Sequence, residues 1–159
     1  MPTLLFLCHR FPYPPNKGEK IRSYNLLRHL ASRWRVLLGC LADDPADLQH
    51  LPHLREMCAE VGCFAIDRRR QKLLALLRAR PGRPLMPDFY RDAALQAWVD
   101  AVVARERIDK VLVCTAAMAP YLMRSGRPGG VLDMQDIDSE KWTSYATTTR
   151  PPMSLVWAR

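Results

Sequence analysis

Chemistry in this chain concentrates in a few short stretches. In FPYPPNKGEK, residues 11–20, three prolines give way to Lys17, Gly18 and Lys20 at the start of a helical pattern. A helix N-terminus carries free N–H groups and partial positive charge, so lysines there oppose the macrodipole unless an anion joins them. Gly18 lets a ligand approach the backbone closely. Together these residues suit a phosphate or diphosphate. The plainer alternative is that both lysines are solvated and Glu19 offsets them. Neither GxGxxG nor GxxxxGK[ST] occurs, so no named nucleotide fingerprint applies.

The stretch DMQDIDSEKW, residues 133–142, packs Asp133, Asp136, Asp138, Glu140 and Lys141 closely. Asp138 or Ser139 can cap a following helix, which accounts for one carboxylate. The others can bind sugar hydroxyls, act as a base, or pair with the basic loop at 16–22; otherwise they are a solvated acidic loop. His9 follows an apolar run and can serve as a base or hydroxyl ligand, although a lone histidine is more often structural. In RRRQKLLALLRARPGR, residues 68–83, leucines alternate with arginines. That pattern fits a helix lying on an anionic membrane. It equally fits a surface helix whose leucines face a sheet, and the sequence favours the latter.

These stretches need a frame to hold them. Five short apolar runs, at 3–8, 35–41, 63–66, 110–114 and 130–134, lack polar alternation and so predict strands buried on both faces of a parallel sheet. Helical patterns lie between them. One spans 18–31 with Ile21, Tyr24, Leu27 and Ala31 on a face and Asn16 with Glu19 as a capping box. A second lies within 45–59, with Asp44 as cap and Pro45 at its first position. A third spans 88–107, capped by Asp88, with Leu95, Trp98 and Val102 as its stripe. Strands alternating with helices predict a Rossmann-like, doubly wound α/β fold with helices on both faces. Ligands then bind beyond the carboxyl ends of the strands.

The chain has 159 residues, 48% of them hydrophobic, which suffices for one globular core. Its net charge of +8 favours anionic partners. No nucleic-acid module is present, and nucleic acid is not expected as a partner. The apolar run before His9 is too short for a secretory signal, and no run is long enough to span a membrane. Five cysteines without paired zinc spacing read as buried free thiols of a reducing cytoplasm.

The segments FLCHRFPYPPNKGEKIRSYNLLRHLA, GRPLMPDFY, AMAPYL and VLDMQDIDSEKW resemble the N-terminal half of a family 4 glycosyltransferase of the GT-B fold. The resemblance is to the sugar transferases associated with bacterial exosortase and exopolysaccharide gene clusters. It covers nearly the whole chain. It implies a retaining, hexosyltransferase-like enzyme that moves a sugar from a nucleotide-sugar donor to a glycan or lipid-linked acceptor. No metal or other cofactor is implied. Residues 1–146 would be the acceptor-side domain. Residues 147–159 would begin a segment leading to a missing C-terminal domain that binds the donor, leaving this chain inactive alone. By the same resemblance, Asn16, Lys17 and Gly18 lie against the donor diphosphate, and Arg10, Lys20 and Arg22 hold an anionic or lipid-linked acceptor, with His9, Asp138 and Lys141 also on the substrate side. Asp136 is the carboxylate nearest the acceptor hydroxyl. The expected location is the cytoplasm, and the basic amphipathic pattern of Arg68–Arg83, not the resemblance, adds peripheral contact with the inner face of the membrane as an option. A stand-alone α/β module binding a phosphorylated small molecule, and a peripheral membrane domain, are the competing readings.

Overall fold

In a computed structural model of the protein, the apolar runs become five parallel strands. The structure describes residues 1–78, 86–124, 130–134 and 148. The strands are β1 (Thr3–Cys8), β2 (Arg35–Ala42), β3 (Glu60–Ala65), β4 (Lys110–Cys114) and β5 (Val131–Asp133). They lie in the order β3-β2-β1-β4-β5, so the chain builds outward from β1 on one side and then on the other. The point of reversal lies between β1 and β4. The helices are α1 (Gly18–Ala31), α2 (Leu51–Met57), α3 (Arg68–Leu77), α4 (Met86–Phe89), α5 (Ala93–Arg105) and α6 (Ala119–Arg124). The fold is Rossmann-like and doubly wound.

Both faces of the sheet are covered, which is why the strands read as continuous apolar runs. Leu5, Leu7, Leu37, Val111 and Val113 pack with Leu95, Val99 and Val102 of α5. Leu4, Phe6, Val36 and Leu38 pack with Tyr24 and Leu27 of α1 and with Leu54 of α2. On the α5 side, Trp98 lies over two register-paired glycines, Gly39 and Gly62. A Cβ at Gly62 would stand 2.5 Å from the indole and one at Gly39 2.8 Å from it, so neither position has room for a side chain. The indole N–H donates to Glu60 at 2.7 Å.

The cysteines take an arrangement that spacing along the chain conceals. Cys63, Cys40, Cys8 and Cys114 are successive register partners across β3, β2, β1 and β4. All five cysteines are free thiols, and Cys8, Cys40, Cys58 and Cys114 are buried. Burial pushes the Cys58 and Cys114 thiols up to about 12.

Several local expectations are corrected. The cap of α1 is Lys17, with no side-chain capping bond, so Asn16 and Glu19 form no capping box. The inward face of α1 is Lys20, Ser23, Tyr24 and Leu27, while Ile21 is exposed. Asp44 does cap its segment, accepting from the Ala46 N–H at 3.0 Å, but Pro45–His50 is a 3₁₀ turn that precedes α2. The expected long helix is broken into α4 and α5, and Asp92 rather than Asp88 caps α5 by accepting from Leu95 N–H at 2.8 Å. In α3 the buried residues are Gln71 and Ala75, and Leu73, Leu76 and Leu77 face outward. The expectation that these leucines face the sheet is thereby overturned.

Candidate functional site

The carboxyl ends of β1 and β4 flank the reversal point, where open α/β sheets leave a crevice for ligands. One residue beyond the register pair Cys8 and Cys114, the strands release His9 and Thr115. Thr115 adopts φ 74° and ψ 146°. For a β-branched residue a positive φ is strained, and such strain persists only where the surroundings enforce it. Here they do so from both sides. The Thr115 N–H donates to the Asp133 carbonyl of β5 at 3.0 Å, and its own carbonyl accepts from Met118 N–H at 3.2 Å, closing the turn Ala116–Met118. The Thr115 Oγ1 is buried and has no hydrogen-bond partner among the described residues.

His9 is buried, with only 8% of its surface exposed, and its Nδ1 also has no hydrogen-bond partner among the described residues. Its ring meets the Tyr90 ring edge-on, with centroids 5.1 Å apart. Tyr90 is held in turn by Tyr121, whose hydroxyl donates to the Tyr90 carbonyl and accepts from Asp92 N–H. Burial first, then the Arg10 cation, with Asp43 partly opposing them, together lower the His9 imidazole to about 4. The ring is therefore neutral near pH 7, with one nitrogen able to donate and the other to accept. Leaving a buried polar atom unpaired costs about 1–3 kcal/mol. Two such atoms at one switch point mark it as a place where a polar ligand gains hydrogen bonds.

The cations foreseen as anion ligands have carboxylate partners. Arg10 contacts Glu19 and stands 3.4 Å from Asp43, an ion pair without hydrogen-bond geometry at Nε. Arg22 of α1 reaches β5 and grips Asp133 through two bonds of 2.9 and 2.6 Å. The expected pairing of the acidic stretch with the basic loop thus takes place at Asp133. Lys20 is only 4% exposed and donates to both oxygens of Asp47, at 2.7 and 2.6 Å. Its ammonium is buried in that pair.

Asn16, Lys17 and Gly18 differ from these, because all three are exposed. Lys17 has no carboxylate partner among the described residues. The first intrahelical bond of α1 runs from Ile21 N–H to the Lys17 carbonyl, so the N–H groups of Gly18, Glu19 and Lys20 precede the helical ladder. A Cβ built on Gly18 meets nothing within 4 Å, so the chain itself does not demand glycine there.

Asp136, Asp138 and Lys141 lie outside the described residues. Among the described residues there is no group of three or more His, Cys, Asp or Glu side chains disposed to hold a metal, and no helix long and apolar enough to cross a membrane. The segments 42–45 and 115–118 were expected at the ligand edge, but Asp43 and Thr115 were not singled out there, nor were Asp47 and Tyr90. For Thr115 the only signal in the sequence is a hydroxyl residue directly after an apolar strand. No family model, curated protein or solved structure matches the chain.

Proposed function

We propose that the chain is the acceptor-side domain of a retaining glycosyltransferase, one that moves a sugar from a nucleotide-sugar donor to a glycan or lipid-linked acceptor in polysaccharide biosynthesis. The observation that carries the reading is the pair of buried atoms without a partner among the described residues, His9 Nδ1 and Thr115 Oγ1, at the β1/β4 switch point. Neutral donor–acceptor groups of this kind suit sugar hydroxyls. In the crevice, the neutral His9 ring binds a hydroxyl of the transferred sugar or acceptor. Lys17 and the free N–H groups from Gly18 onward meet the diphosphate. In the transfer, the bond from the anomeric carbon to the phosphate oxygen breaks, and its electron pair moves onto the diphosphate. Donors fixed in advance act most strongly where such charge develops. The acceptor oxygen bonds to the anomeric carbon and loses its proton, which passes to the departing phosphate or to Asp136.

The reading assigns nucleotide binding to a second domain, and it assigns the work to the cytoplasm, at the inner face of the membrane. A free-standing sensor of phosphorylated small molecules fits less well, because Arg10, Lys20 and Arg22 already have carboxylate partners. The test is an NMR shift titration with UDP, GDP and inorganic diphosphate, followed by the same nucleotides with a two-domain protein. Localised shifts at His9, Lys17, Gly18 and Thr115 are expected. Silence at all four positions in both proteins rejects the transferase reading.

A further inference from the structure

Helix α3 is built opposite to a helix that packs through its apolar face. Its inward side is Gln71 and Ala75, which are 7% and 5% exposed, and it packs chiefly on α4. Gln71 Nε2 donates to the Arg91 carbonyl at 3.4 Å, tying this polar face to the chain before α5. Its solvent side holds Leu73, Leu76 and Leu77, which are 58%, 59% and 73% exposed. At 3.6 residues per turn these leucines share one arc with Arg69, and Lys72 and Arg70 border the arc on either side. Arg68, Arg69, Arg70, Lys72 and Arg78 are all exposed, and α3 contains no acidic residue. Among the described residues only the Arg68 side chain stands in an ion pair, with Asp43 at 3.6 Å, while the N-cap Asp67 accepts from the backbone N–H groups of Arg69 and Arg70.

An outward leucine stripe bordered by long cations matches a lipid surface in two respects. The leucines leave water for the acyl boundary, while Arg and Lys stems lie along apolar surface and lift their charged heads to the phosphates. Charge complementarity narrows the occupant further. A protein partner of ordinary composition needs no such density of cations around an apolar stripe, whereas an anionic bilayer presents negative charge at every point of contact.

We propose that α3 is an interfacial helix that docks the protein on an anionic lipid bilayer, with Leu73, Leu76 and Leu77 inserted and the bordering cations on the headgroup phosphates. This does not depend on the transferase reading. It gives the helix a use that the packing of the domain leaves open.

The test is co-sedimentation of the whole chain with vesicles of phosphatidylcholine, alone or mixed with phosphatidylglycerol. A Leu76→Trp variant adds a fluorescence readout, taken as the difference from the wild type. Expected are binding to the mixed vesicles only, weakening with salt, and a blue shift of the added indole's emission on binding. Each cation removed should weaken binding about fivefold at low salt. A triple Leu73→Ser, Leu76→Ser, Leu77→Ser variant should bind at least about tenfold more weakly. Because these side chains are exposed, its circular dichroism and melting temperature should match the wild type. Undiminished binding by the triple variant, or no blue shift from Leu76→Trp, overturns the proposal. So does a lipid-free dimer that the triple variant abolishes, since the occupant would then be a second copy of the chain.

Discussion

Lys20 and Asp47 lie 27 residues apart and meet in the interior, where the ammonium bonds both carboxylate oxygens and both residues are at least nine-tenths buried. The pair pins the first turn of α1 to the 3₁₀ turn that follows β2. Removing one partner strands the other as a buried charge, which costs about 3–5 kcal/mol, whereas replacing both with apolar groups can be nearly neutral. Lys20→Met and Asp47→Leu should each lower the urea midpoint sharply, and the double variant should recover most of the loss. Single variants with the wild-type midpoint, or a double variant whose loss is the sum of the two single losses, would mean that the pair contributes little.

His9 makes stability depend on pH in a defined window. Its folded pKa is lowered to about 4 from an ordinary 6.5. Between those values the unfolded chain binds a proton that the folded chain refuses, so this contribution is intact above 6.5 and lost as the pH falls toward 4. The integrated loss from pH 7 to pH 5 is about 2 kcal/mol. Urea titrations at the two pH values should show it, and His9→Gln should remove it. A slope unchanged in His9→Gln would assign the effect to other groups.

Gly18→Ala separates folding from binding. The added methyl has open space, and alanine loses less backbone freedom in a helix, so stability should hold or rise by up to about 1 kcal/mol. Diphosphate binding should nevertheless weaken, because the methyl covers the free N–H groups. Lys17→Ala should weaken it too, without touching stability. Chemical-shift titration and thermal melts of the two variants provide the check; wild-type affinity in both would leave this corner without a ligand.

The glycines beneath Trp98 make an opposite prediction. At Gly62 a methyl would stand 2.5 Å from two indole carbons, so Gly62→Ala must displace the ring or bend the strand. Overpacking of this kind typically costs about 1–3 kcal/mol, and here it also threatens the Trp98–Glu60 hydrogen bond. Calorimetry should show a lower melting temperature for Gly62→Ala, partly restored by adding Trp98→Leu. An unchanged melting temperature would mean that the ring is free to move.

The sheet was legible because burial on both faces leaves a one-dimensional trace, so Thr3–Cys8 and Lys110–Cys114 could be delimited by their apolar residues alone. Gly18–Ala31 was legible in extent, and Tyr24 and Leu27 of its inward face with it, but Ile21 was placed there instead of Lys20 and Ser23. A lysine turns inward only if a carboxylate waits there, and Asp47 sits in a turn whose position depends on the sheet. A pairing of 133–142 with the basic loop at 16–22 was one of several readings the sequence left open, and the fold selects Arg22 and Asp133 as its partners across 111 residues. Asp88 reads as the cap of one long helix, but the short helix Met86–Phe89 takes it up and Asp92 starts α5 instead. No rule of composition predicts a positive φ at a threonine, so Thr115 became visible only once β5 and the Ala116–Met118 turn had fixed its backbone. Asp136, Asp138 and Lys141 stand as the sequence left them.

The row of thiols across the sheet gives the domain an internal stopwatch. Alkylating reagents attack thiolates, and burial keeps Cys58 and Cys114 protonated at neutral pH. Modification of the buried Cys8, Cys40 and Cys114 therefore waits for the strands to part, whereas Cys63 on the edge strand is half-buried. Because Cys63, Cys40, Cys8 and Cys114 come from four neighbouring strands, the order in which they are labelled reads out which seam of the sheet opens first.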